Sequence, residues 1–161
     1  MVFMTRNKYY AGPVTDHFDG TRFFNPGQPS TDRSLRDLWR WRRTSHRTPW
    51  PDSVPITTAV PEKSVDALRI TMVGHATVLI QAAGLNILTD PVWSERASPL
   101  RWAGPKRVNA PGVAFENLPP IDALLISHNH YDPLDLVTLR RLQAETNPLM
   151  IMPLGNDHIL K

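Results

Sequence analysis

One stretch constrains the fold more than any other. Residues 121–126 form a nearly unbroken apolar run from Ile121 to Ile126, followed at once by Ser127-His128-Asn129-His130-Tyr131-Asp132-Pro133 and then by a helical pattern over 134–145. A short apolar run of this kind reads as a strand covered on both faces. Strand, loop and helix in that order predict a layered α/β domain. On an extended segment, residues i and i+2 point the same way, so His128, His130 and Asp132 are expected to converge at the carboxyl end of the strand. Imidazole nitrogen and carboxylate oxygen are ordinary zinc donors, and α/β sites collect at the carboxyl ends of strands. A second reading makes Asp132 the cap and Pro133 the first residue of the following helix, with ordinary loop histidines. The bare string leaves the two readings evenly balanced, and its placement after a buried strand favours the metal site.

The chain contains no cysteine. Disulfides and thiolate ligands are therefore excluded, and any metal must be held by His, Asp or Glu. A length of 161 residues suits one domain better than two. Hydrophobic residues at 41% and charged residues at 20% argue against global disorder. The formal net charge of +3 is too small to imply nucleic acid, and no nucleic-acid motif is present, so none is expected as a partner. No apolar run of membrane-spanning length and no signal-like opening occur. A cytoplasmic location is expected, with a peripheral membrane contact left open.

Residues 1–66 read as an arm, a basic helix and a connector. In the arm, Tyr9, Tyr10, Phe18, Phe23 and Phe24 alternate with glycines and prolines, a texture expected to wrap a body supplied by the rest of the chain. A helix is predicted over 32–43, with Thr31 as its cap. Leu35, Leu38 and Trp39 share one face, and Arg33, Arg36, Arg40 and Arg43 share another. Such a helix fits an anionic lipid surface or docking on its own domain with a solvated basic face, and its shortness favours docking. Residues 44–66, with four prolines, form the connector.

Residues 67–161 carry the folded body. Strands are predicted over 68–73, 77–82, 85–88, 121–126 and 149–152, with Ala83-Gly84 as a tight turn. A helix is predicted over 134–145 with Leu134, Val137 and Leu142 inward, and Asn156 opens a further helix.

Several motifs together resemble one family. They are Val73-Gly74-His75-Ala76-Thr77, Leu88-Thr89-Asp90-Pro91, Ser94-Glu95-Arg96-Ala97-Ser98-Pro99, Gly104-Pro105-Lys106-Arg107, Leu118-Pro119-Pro120-Ile121-Asp122-Ala123 and the histidine loop. In this order they are similar to the metallo-β-lactamase fold hydrolases, in the branch of the phospholipases D that hydrolyse N-acylphosphatidylethanolamine. The resemblance implies an αββα sandwich with two zinc ions between its sheets. It implies His128 and His130 on the first zinc, and Asp132 on the second with a part in catalysis. It puts Tyr131 against a phospholipid substrate and gives Asp90 and His75 supporting roles behind the ligands. Asp90 also reads as a turn former before Pro91, and His75 as a turn histidine. Lactone hydrolases share the fold and form the alternative reading.

The sequence departs from the family at two points. Pro133 stands where the family motif has its last histidine, and proline offers no lone pair. The family's later ligands have no counterpart here, and His158 reads as a surface residue. The expectation is therefore the first half of the sandwich, lacking its C-terminal half and holding one zinc ion or none. The chain alone would be a truncated copy or the front of a longer hydrolase, inactive by itself, with an uncovered apolar sheet face.

Overall fold

The computed structural model describes residues 7–29, 32–46, 48–98 and 102–160. The chain divides into two compact units, Met1–Trp50 and Pro51–Lys161.

In the first unit the aromatic arm packs on itself. The Phe18 ring is fully buried, with Tyr10 edge-on at 5.0 Å and Phe23 tilted at 4.6 Å. Asp19 ties off the turn by accepting from the backbone N–H groups of Thr21 and Arg22, each at 2.7 Å. Helix α1 spans Leu35–Thr44. It begins three residues later than predicted because Ser34 and Asp37 form a capping box: Ser34 Oγ accepts from the Asp37 N–H, and Asp37 accepts from the Ser34 N–H. Thr31, the predicted cap, lies outside the described residues. No residue of α1 is buried.

The second unit is built on a five-stranded sheet in the order β1-β2-β3-β4-β5. The strands are β1 Arg69–Gly74, β2 Thr77–Ala82, β3 Leu85–Thr89, β4 Ala123–Leu125 and β5 Leu149–Ile151. The first two pairings are antiparallel and the last two parallel. The β2–β3 hairpin turns through Ala83 and Gly84, both at positive φ, as two-residue hairpin loops require. Helix α2, Leu136–Thr146, connects β4 to β5, and the short α3, Asp157–Leu160, follows β5.

From Pro51 onward, the residues predicted as connector belong with this second unit. The Val54 N–H donates to the Val108 carbonyl and the Ala59 N–H to the Gly112 carbonyl. The carbonyls of Glu62 and Lys63 accept from the side-chain amides of Gln81 and Asn86, both at 2.8 Å. Burying these two amides in the sheet requires such partners, and the proline-rich segment supplies them.

The sheet has two unlike faces. On one, Leu79, Leu88 and Leu124 lie side by side across β2, β3 and β4 and pack with Leu139 and Leu142 of α2, all fully or nearly fully buried. Val137, predicted inward, is 54% exposed, and Thr138 takes the inward position. The opposite face carries two rows across the sheet, Ile70–Ile80–Ile87–Ala123–Leu149 and Met72–Val78–Thr89–Leu125–Ile151. Its inner members are half-buried, while Ile70, Met72, Leu149 and Ile151 are more than half exposed. An apolar sheet with one face packed and the other open is what one layer pair of a sandwich presents.

Candidate metal centre

The loop after β4 carries the histidine motif at the carboxyl end of the parallel strands. Asp90, at the end of β3, fixes its start. The Asp90 N–H donates to the Leu125 carbonyl at 2.8 Å, and its carboxylate accepts from the Ser127 N–H at 2.7 Å. The Thr77 hydroxyl donates to the Asp90 carbonyl at 2.7 Å, and Thr77 is completely buried. Asp90 adopts φ +37°, a conformation Asp tolerates better than most residues. The carboxylate thus holds the backbone of the loop at Ser127.

His128, His130 and Asp132 come together. One ligand atom from each lies within 4.8 Å of the others, and among the described residues they form the one group of this kind. His128 Nε2 and His130 Nδ1 are 3.1 Å apart. Two donors bound tetrahedrally to zinc at ordinary bond lengths are separated by about 3.3 Å, so the two imidazoles already have the span of a shared ion. Ser127 Oγ lies 2.8 Å from His128 Nδ1. With the proton on Nδ1 donated to that hydroxyl, Nε2 keeps the lone pair a metal needs. Ser127 sits within the motif, yet the spacing of the motif gives it no role. The donor set of two nitrogens and one carboxylate oxygen fits a zinc ion.

His75 reaches the same cluster from the β1–β2 turn. Its Nε2 lies 2.9 Å from Asp132 Oδ2, across 57 residues of sequence. It holds φ +55°, which turns the ring toward the loop at the cost of a left-handed backbone. Burial pushes the Asp132 carboxyl up, but the hydrogen bond from His75, backbone hydrogen bonding and nearby imidazole charge outweigh it, and the net shift is downward. Asp132 is therefore ionised at neutral pH and suited to a cation. Loss of this contact should loosen the cluster: His75→Ala is expected to weaken zinc binding by about 10–100-fold, the usual cost of removing a partner behind a ligand. A competition titration against a chromogenic chelator measures it.

Tyr131 is 60% exposed beside the cluster. Pro133 is fully buried and contributes no donor. His158 is exposed on α3 and lies outside the cluster. A cavity of about 350 Å³ adjoins the loop, lined by Thr89, Asp90, Leu125, Ser127, Met152 and Pro153 among others. It opens where the metal loop meets the apolar sheet face.

The mixed sheet, its covering helix and the His-x-His-x-Asp loop at the end of β4 define a metallo-β-lactamase-like domain. Residues 85–161 match the family described as the β-lactamase superfamily domain. By this match and the relatives below, the chain belongs to that superfamily and is homologous to the N-acyl-phosphatidylethanolamine-hydrolyzing phospholipases D. It is 34% identical to N-acyl-phosphatidylethanolamine-hydrolyzing phospholipase D 1 of Caenorhabditis elegans, over 94% of this chain and 46% of that protein. It is 36% identical to an uncharacterized protein of Mycobacterium tuberculosis, over 77% of this chain and 34% of that one. It is 35% identical to the mitochondrial N-acyl-phosphatidylethanolamine-hydrolyzing phospholipase D of Saccharomyces cerevisiae, over 65% of this chain and 22% of that protein. The chain thus spans about half the length, or less, of the relatives it matches. No helix of the described residues is long and apolar enough to cross a membrane.

Proposed function

We propose that this chain supplies the His-x-His-x-Asp part of a zinc-dependent phosphodiesterase site for N-acylphosphatidylethanolamine-type phospholipids. The observation that carries this reading is the convergence of His128, His130 and Asp132 in a chain homologous to the phospholipases D of that name. His128 Nε2, His130 Nδ1 and a carboxylate oxygen of Asp132 would hold the ion. When bound, zinc supplies Lewis-acid stabilisation of charge on a phosphoryl oxygen and a nucleophile at neutral pH.

The chain's own residues do the rest. Ser127 fixes the tautomer of His128, and His75 orients Asp132. Asp90 anchors the loop to β3, and the exposed Tyr131 would meet a lipid headgroup. Pro133 withholds a further imidazole, so the loop supports a single ion and the expected turnover by this chain alone is low.

The test is zinc-dependent release of N-acylethanolamine from the phospholipid, measured beside a lactone and beside the His128→Ala variant. Close to a single equivalent of bound zinc that is lost in His128→Ala, with at most slow release that chelation abolishes, supports the proposal. Faster turnover of the lactone moves the reading to the lactone hydrolases of the same fold. The absence of any zinc binding would leave a non-catalytic relative.

A further inference from the structure

Helix α1 is the largest feature that the metal centre does not use. Between positions 33 and 43 the chain has five arginines, Arg33, Arg36, Arg40, Arg42 and Arg43, against one acid, Asp37. Asp37 is engaged in the capping box, accepting from both the backbone N–H and the hydroxyl of Ser34. The net positive charge of the helix therefore faces outward.

Helical spacing separates most of the remaining side chains. Leu35, Leu38 and Trp39 recur at i, i+3 and i+4 on one side, with Arg42 at i+7 on the same side, and Arg36, Arg40 and Arg43 recur at i, i+4 and i+7 on another. None is buried: Leu35 is 86% exposed, Trp39 59% and Leu38 55%. A helix that exposes an apolar stripe of Leu and Trp beside a row of arginines is built to lie in the plane of a charged interface. Trp is the residue type enriched at the headgroup level. The Arg43 guanidinium sits 4.4 Å over the Trp39 ring, which brings charge and indole to the same depth.

We infer that α1 is a docking surface for an anionic lipid bilayer, with its arginines against phosphate headgroups and Leu35, Leu38 and Trp39 inserted at the acyl boundary. Charge complementarity selects this occupant. A purely polyanionic partner such as nucleic acid would use the arginines and leave the Leu–Trp stripe unexplained. The inference is independent of the hydrolytic reading, because capture by vesicles is measured without turnover.

The experiment is co-sedimentation of the full chain with vesicles of phosphatidylcholine alone and with vesicles in which part of it is replaced by phosphatidylglycerol. Capture is expected with the anionic vesicles, weakening as salt is raised. Each of Arg36→Gln, Arg40→Gln and Arg43→Gln should weaken it by about five-fold. Leu38→Ser with Trp39→Ser should weaken it by at least about ten-fold. All five positions are exposed, so the variants are expected to keep the fold, which circular dichroism verifies. Equal capture by both vesicle types, or no capture by either, overturns the inference. Binding that depends on the arginines but is indifferent to Leu38 and Trp39 also overturns it, since that outcome describes a polyanion surface.

Discussion

Asp135→Ala is expected to destabilise the second unit by about 3–5 kcal/mol, a large effect for the loss of one polar side chain. Asp135 is the cap of α2, accepting from the backbone N–H groups of Val137 and Thr138. It also accepts from the Thr138 hydroxyl at 2.6 Å, from the Ser94 hydroxyl at 2.9 Å, and from the backbone N–H groups of Ser94 and Trp93 at 3.0 and 3.3 Å. The residue is 6% exposed. Removing the cap alone costs about 1 kcal/mol. Each buried donor left without an acceptor adds about 1–3 kcal/mol, less wherever water enters. Asp135→Asn keeps one acceptor oxygen and should cost clearly less. Urea unfolding followed by far-ultraviolet circular dichroism measures both.

The same carboxylate makes the stability acid-sensitive. Burial pushes its pKa up, but the hydrogen bonds from Thr138 and Ser94 together outweigh burial and bring it below the ordinary 3.8. A folded-state carboxyl that holds its proton more weakly than the unfolded one stabilises the fold above the unfolded value and loses that contribution as pH falls through the folded value. The gap between the natural chain and Asp135→Ala should be full at neutral pH and shrink below about pH 4. A gap that widened in acid would show that the carboxylate is not the stabilising form.

His128→Ala should lower zinc affinity by more than the roughly 10–100-fold that loss of a supporting residue costs, because it removes a direct donor. His128 Nε2 and His130 Nδ1 stand 3.1 Å apart as a ready pair of donors. With one gone, the loop offers a single imidazole and a carboxylate that is itself in contact with His75. His158→Ala is the matched control: it removes an imidazole from the same domain, outside the cluster, and should leave affinity unchanged. Isothermal titration with zinc distinguishes the two. An essential His158 with a dispensable His128 would overturn the assignment of the centre.

The site is legible in the sequence where it is local. His128, His130 and Asp132 lie within five residues, so a single loop can gather them, but residues 129–133 bend and turn where an extended segment was expected, and it is this folded loop that brings the three together. The β2–β3 hairpin is legible because it too is local, its alternation flanking a two-residue turn. What local pattern does not supply is tertiary. Asp132-Pro133 reads as a helix opening, yet the cap of α2 is Asp135, which also accepts from Ser94, 41 residues earlier. Val137 is apolar and in phase, but Thr138 takes the buried side because its hydroxyl closes the same network. The arm's aromatics read as wrapping a body supplied by the rest of the chain, and Tyr10, Phe18 and Phe23 pack on one another. The cap of α1 is a different case: Ser34 with Asp37 three residues on is a local signature, and both of its hydrogen bonds close within one turn.

The open rows of Ile70, Met72, Leu149 and Ile151 have a calorimetric consequence. Their hydrocarbon is hydrated before the chain melts, so melting wets less new apolar surface than in a domain packed on both sides. The heat-capacity increment should fall below the usual ~12–15 cal/mol/K per residue, and the curve of stability against temperature should be correspondingly flat. Anything that came to cover those rows would announce itself by steepening that curve.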